Sequence, residues 1–158
     1  MITRIIAVII LFILLPIILL LSLMVILDLG KPIFFIQERS GLRGKAFNVY
    51  KFRSMKNIYD ANDNILPDED RLFFFGKLLR KTSLDELPSI VNVIKGDMNF
   101  IGPRPLLLEY NNKYSVYQRK RISIKPGMTG WAQVNGRNSI SWEEKFDLDI
   151  WYIENFRY

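Results

Sequence analysis

The sequence predicts a mainly helical α+β chain, with a membrane-embedded apolar helix at the N-terminus, one short β-hairpin, and amphipathic helices around a small globular domain. Three observations carry this reading. Residues Ile5 to Leu27 form an almost unbroken apolar run. Lys31 to Met55 holds two strand-like stretches around a turn rich in glycine. The rest shows apolar residues at helical spacing, interrupted by Gly and Pro. The division is 1–30 for the membrane segment and 31–158 for a single globular unit.

The apolar run, as a straight helix, reaches roughly 34 Å, enough to cross a bilayer core. It is too long for a cleaved signal peptide, and no small-x-small site follows it. Pro16 in its middle removes a backbone donor and predicts a kink or break. Arg4 and Lys31 flank the run and give little orientation signal. The residues alone favour a kinked single span over a helix that bends and returns to the same face.

Ile33 to Ile36 and Phe47 to Phe52 read as the two strands, joined through Ser40-Gly41-Leu42-Arg43-Gly44. Asn57 to Asp70 is rich in Asp and Asn and reads as a loop. Arg71 to Lys81 reads as a helix with Leu72, Phe75, Leu78 and Leu79 on one face and Lys77, Arg80 and Lys81 near the other. That composition suits either a membrane interface or a core-facing helix. Leu84 to Ile94 is a second helical pattern, stopping near Gly96, and Asn99 to Pro105 reads as a loop. Leu106 to Ile122 reads as a helix, Lys125 to Gly130 as a turn, and Trp131 to Arg137 as extended or loop. Trp142 to Glu154 closes the chain as a helix.

There is no Cys and no His among the 158 residues. Disulfides, thiol nucleophiles, Ser-His-Asp triads and the common zinc sites are therefore excluded. Catalysis, if present, must use carboxylates, Lys, Arg, Tyr, Ser or Thr. The net charge of +6 lies outside the apolar run, because Arg4 and Asp28 cancel within the first 30 residues. A basic surface beside a membrane anchor favours phosphorylated substrates or anionic lipid over nucleic acid.

Thr82-Ser83-Leu84-Asp85-Glu86 is the sharpest local feature. Ser83 with Glu86 has capping-box spacing, and Asp85 suits a first helical turn; helix chemistry alone accounts for all three. Pro88 resists that account, because it sits where the second turn needs a donor. The same residues fit phosphoryl transfer. One carboxylate attacks phosphorus, a second helps hold Mg²⁺, and Arg80 and Lys81 just upstream supply positive charge. A phosphate acceptor needs no general base. In Gly102-Pro103-Arg104-Pro105, two prolines fix the backbone around an Arg suited to phosphate. Gly130 to Arg137 offers an aromatic face, two amides and an Arg, compatible with a nucleotide or with core packing.

Several motifs in this order resemble the small monotopic polyprenyl-phosphate phosphoglycosyl transferases, the bacterial sugar transferases. They are Gln37 to Gly41, Tyr50-Lys51-Phe52-Arg53-Ser54-Met55, Ser83 to Pro88, Lys95 to Met98, Gly102 to Pro105, Lys125 to Arg137 and Asp147 to Tyr152. Each is moderately specific; their joint order is highly specific and covers nearly the whole chain. The resemblance implies a re-entrant helix-break-helix that dips into one leaflet, with amphipathic helices at the interface. It implies an Asp85 nucleophile that takes a phospho-sugar from a UDP-sugar and releases UMP, then passes it to polyprenyl phosphate. It implies that Glu86 supports Mg²⁺ with Asp85, that Arg104 meets a phosphate, and that Lys51, Arg80 and Arg137 are further phosphate or nucleotide contacts. It places residues 31–158 as a catalytic domain on the cytoplasmic face of the inner membrane, with an acetamido-sugar donor expected.

The chain departs from the family pattern at its ends. Only Arg4 remains of the usual charged residues before the membrane helix, and Leu15 stands where a Ser usually precedes the helix-breaking Pro. Members usually carry a further helical segment after the Asp147 to Tyr152 region, so the chain reads as shortened at its C-terminus. The competing reading is a non-catalytic membrane-surface relative that keeps the anchor and the basic face. The intact Asp85, Glu86 and Arg104 argue against it.

Overall fold

In a computed structural model, the described residues are 1–136 and 139–156. Helix α1 (Ile2–Leu29) takes up the whole apolar run as one 28-residue helix that includes Pro16. Strands β1 (Phe34–Ser40) and β2 (Ala46–Phe52) pair as a hairpin. Two short helices follow, α2 (Asp68–Arg71) and α3 (Phe74–Thr82). A 3₁₀ segment, Leu84–Ser89, then leads into α4 (Ile90–Lys95). Strands β3 (Asn99–Ile101) and β4 (Gly127–Thr129) pair in parallel, with Asn99 opposite Gly127 and Ile101 opposite Thr129. Helices α5 (Trp131–Val134) and α6 (Trp142–Asn155) complete the chain.

These elements form two compact units. The first, here the anchor unit, comprises Ile9–Ile36 and Tyr50–Ser89. Its core joins Leu21, Val25 and Leu29 of α1 to Phe52 of β2 and Leu79 of α3, with Ile18, Ile33, Phe75, Leu84 and Leu87 packed against them. Each fully buried Leu or Phe contributes about 1.5–3 kcal/mol, so this small cluster fixes how α1 meets β2 and α3. Most of α1 is nevertheless uncovered: only 11% of its most apolar window is buried. A core helix of a water-soluble protein would be mostly buried, so the exposed Ile, Leu and Phe side chains fit a lipid environment.

The C-terminal end of α1 is held by a buried arginine. A helix leaves its last carbonyls without intrahelical donors. Arg53, 7% exposed, donates to the carbonyls of Leu29, Gly30 (2.7 Å) and Lys31 (2.9 Å). Lys56 adds an ion pair to Asp28 at 3.7 Å. That pair is about a third exposed and adds at most about 1 kcal/mol, whereas each charge-assisted bond from Arg53 is worth about 1.5–3 kcal/mol.

The second unit comprises Met1–Val8, Gln37–Val49 and Ile90–Tyr158. Its buried residues include Val49, Ile90, Val93, Met98, Leu106, Tyr114 and Ile150. Asn92, fully buried, donates to the Asn48 carbonyl at 2.7 Å and ties α4 to β2. At the start of α1, the Arg4 guanidinium lies against Gly96, whose φ of 88° ends α4, and a side chain at Gly96 would collide with it.

Four expectations change. Leu106 to Ile122 is not one helix; it forms 3₁₀ turns at Leu108–Asn112 and Gln118–Ile122. Between them Ser115 and Gln118 exchange side-chain and backbone hydrogen bonds, which displaces the helical ladder. The Trp131 to Arg137 stretch begins as helix α5, a single turn too short to show a period. The loop expected from Asn99 and the turn expected from Lys125 each contribute a three-residue strand.

Candidate functional site

The Asp85–Glu86 pair sits on the 3₁₀ segment of the anchor unit, and the local backbone explains its presentation. Ser83 takes the left-handed conformation (φ 58°, ψ 18°) and closes α3, with its N–H donating to the carbonyls of Arg80 and Leu79. An N-cap is typically extended, whereas Ser83 stands as the left-handed C-cap of α3. The chain restarts as a 3₁₀ helix because Pro88 lacks the donor that an α-helix needs there. Three residues per turn align Leu84 with Leu87, Asp85 with Pro88, and Glu86 with Ser89. Leu84 and Leu87 pack on the core. Ser89 Oγ donates to the Tyr50 carbonyl at 2.8 Å and pins the turn to β2. The carboxylates occupy the two remaining faces and are half-buried.

Two cations from other elements meet them. Lys51 Nζ of β2 lies 2.7 Å from Glu86 Oε1, with both side chains about one-fifth exposed. Arg80, at the end of α3, donates from Nε to Ser54 Oγ at 2.9 Å. Burial is the largest influence on Asp85 and pushes its carboxyl above the usual carboxylate range. Lys51 pulls it down, Glu86 pushes it up, Arg80 pulls it down, and the net shift is upward. The structure therefore brings together four of the residues expected from sequence: Lys51, Arg80, Asp85 and Glu86. The result is a desolvated carboxyl beside a second carboxylate that already has its own cation. Among the described residues no cluster of three or more acidic side chains suited to a metal occurs.

Arg104 belongs to the second unit. Gly102 and Pro103 are buried and Arg104 is exposed, so the guanidinium leaves a fixed platform as the two prolines suggest. The platform is built against β4. Gly102 N–H donates to the Thr129 carbonyl and Gly127 N–H to the Pro103 carbonyl, both at 3.0 Å. The Gly102–Pro105 and Lys125–Val134 motifs are thus one assembly. Arg137 lies outside the described residues.

Sequence reasoning missed the residues behind that platform. Arg121, 4% exposed, meets Asp149, 2% exposed, at 2.7 Å. It also donates to Tyr114 Oη at 3.0 Å and to the Arg104 carbonyl at 3.1 Å. In sequence Arg121 ends a basic run with Arg119 and Lys120, and the three look alike; only their burial separates them. Asp149 falls inside the Asp147 to Tyr152 motif, which was the one available signal.

The family described as bacterial sugar transferase matches residues 1–158. The chain is 54% identical over 132 residues to EpsL of Bacillus subtilis, named an uncharacterized sugar transferase; the match covers 84% of this chain and 65% of that protein. It is 39% identical over 145 residues to the undecaprenyl-phosphate galactose phosphotransferase of Salmonella typhimurium, covering 80% of this chain and 30% of the relative. It is 36% identical over 162 residues to the UDP-glucose:undecaprenyl-phosphate glucose-1-phosphate transferase of Escherichia coli, covering 95% and 34%. The chain thus spans just under two thirds of EpsL and about a third of the two longer relatives.

Proposed function

The chain belongs to the bacterial sugar transferase family, and from that premise we propose that it moves a phospho-sugar from a UDP-sugar to polyprenyl phosphate through an intermediate on Asp85. The observation that carries the proposal is the half-buried Asp85 carboxyl with its raised pKa, beside a Glu86 that Lys51 already holds. Partial desolvation leaves the ionised carboxylate reactive, and Lys51 and Arg80 place positive charge where a diphosphate would sit. The relatives' names, which specify undecaprenyl-phosphate and sugar-phosphate transfer, support the substrate class.

The chemistry balances without a general base. An Asp85 carboxylate oxygen attacks the sugar-linked phosphorus of the donor. The new O–P bond forms as the bond from that phosphorus to the bridging oxygen breaks, and UMP leaves with the electron pair. An oxygen of polyprenyl phosphate then attacks the same phosphorus. The Asp85 O–P bond breaks, which restores the carboxylate and yields the polyprenyl diphosphate-sugar. Arg104 serves as a phosphate contact, its platform held by β4 and Arg121.

Asp85 and Glu86 fit a divalent cation such as Mg²⁺, which commonly takes one or two carboxylates and completes its shell with substrate phosphates and water. When bound it would neutralise charge on the diphosphate. The same reading places α1 in a membrane as a re-entrant helix, with the remainder on the cytoplasmic face. Phe74 (83% exposed) and Leu78 (43%) on α3 suit an interfacial position.

The test is UMP release in lipid nanoparticles with Mg²⁺, undecaprenyl phosphate and a panel of UDP-sugars, including acetamido-sugar donors. The proposal expects release that needs Asp85 and prefers particular donors. Full release by folded Asp85→Asn would refute the role of Asp85, and no release from any donor would refute the transferase reading.

A further inference from the structure

Four consecutive residues at the end of β2 make contacts in different directions within the anchor unit. Lys51 holds Glu86 at 2.7 Å. Phe52, 1% exposed, packs with Leu21, Val25 and Leu29 of α1. Arg53 donates to the carbonyls of Leu29, Gly30 and Lys31. Ser54 accepts from Arg80 at 2.9 Å. The carboxylate pair and the last turn of the apolar helix are therefore fastened to the same short piece of backbone. Of these contacts, the Arg53 set is the hardest to replace. Its planar guanidinium reaches the carbonyl of Leu29, the last helical residue, and those of Gly30 and Lys31 just after it, where an ammonium would serve fewer, and its burial keeps water from substituting.

We propose that Arg53 is a positioning residue that sets the depth of the Asp85–Glu86 pair relative to the membrane surface, and so the reach of Asp85 to a phosphate carried on a membrane-embedded lipid. This rests on the transferase reading above. The end of α1, where Asp28 and Lys31 close the run from Ile5 to Leu27, marks the edge of the apolar layer. The rigid connection through Arg53 converts that mark into a fixed height for the dyad. A donor nucleotide arrives from water and is indifferent to small changes in height. A lipid phosphate is confined to the headgroup layer and is not. Misplacement of a reacting group by about 1 Å is enough to cost on the order of a hundredfold.

The chain has no Cys, so Thr82→Cys, three residues from Asp85 and exposed, gives one labelling position. The labelled full chain is reconstituted in phosphatidylethanolamine–phosphatidylglycerol vesicles prepared with and without undecaprenyl phosphate. Depth is read from quenching by nitroxide lipids placed at two levels. UMP release is followed in a single turnover without acceptor, and transfer with acceptor. Arg53→Met is expected to shift the depth and to slow acceptor transfer by at least about tenfold, leaving the acceptor-free burst within about twofold. Arg53→Lys, which keeps the charge, is expected to show a smaller shift in the same direction, and it carries the test if Arg53→Met does not fold. Unchanged depth in a folded Arg53 variant overturns the proposal. So does an equal fall in both half-reactions, which would make Arg53 a support of the fold alone. Depth is read without turnover, so a wild type that releases no UMP refutes the transferase reading and leaves the depth result standing.

Discussion

Two ion pairs in this protein close at the same distance and differ in almost everything else. Lys51–Glu86 in the anchor unit and Arg121–Asp149 in the second unit both measure 2.7 Å. The first pair is about one-fifth exposed and stands beside Asp85; the second is 4% and 2% exposed, and it braces the backbone of Arg104. A partly exposed pair can exchange its partners for a ligand at modest energetic cost. A fully buried one cannot, because separating it strands a charge in a low dielectric. Distance alone does not distinguish a working pair from a bracing one; burial and neighbours do.

The largest effect expected is on chemistry. Asp85→Asn should lower turnover by on the order of a thousandfold or more, measured as UMP release, while the melting temperature stays level or rises. The sign follows from the raised pKa. The unfolded carboxyl is the stronger acid, so above both pKa values the ionised Asp85 opposes folding. Stability is regained as pH falls through the folded pKa, and Asn removes the penalty at neutral pH.

Next in size is the bracing pair. Arg121→Met or Asp149→Leu alone should each cost about 3–5 kcal/mol in denaturant unfolding, and the double variant should recover most of that. Equal losses in single and double variants would contradict the account of a compensated buried pair.

A smaller effect sharpens the contrast. Lys51→Met should change stability by less than about 1 kcal/mol, because its pair is partly solvated. It should nevertheless shift the acid limb of the acceptor-free burst to higher pH. Lys51 pulls the Asp85 pKa down, so removing it leaves more of the carboxyl protonated at a given pH. A pH profile identical to wild type would mean that Lys51 does not act on Asp85.

The smallest is structural: Ser141→Ala removes the cap of α6, where Ser141 Oγ accepts from the Glu144 N–H at 3.2 Å. It should cost about 1 kcal/mol in unfolding without touching turnover.

Much of this was legible in the sequence, for a physical reason that varies by region. The apolar run and the hairpin show in local pattern because one face or the whole surface of each element is specified residue by residue. The dyad was legible as a feature, but its conformation was read as an N-cap. The left-handed Ser83 and the 3₁₀ path past Pro88 depend on contacts with β2 and α1. The 106–122 segment was misread because Leu106 and Asn111 answer to Ser40, 66 or more residues earlier, through bonds that no local period encodes. Arg121 was invisible for the same reason, since burial is a property of the fold and not of a basic run.

The most direct test of the central claim is intact-protein mass measurement after mixing the full chain with the preferred UDP-sugar and Mg²⁺ in the absence of acceptor, followed by peptide mapping. The account predicts an added mass of one phospho-sugar on the peptide holding Asp85, absent in Asp85→Asn and lost on adding polyprenyl phosphate. An unmodified protein that still transfers phospho-sugar to the lipid, or an adduct on another residue, would contradict it.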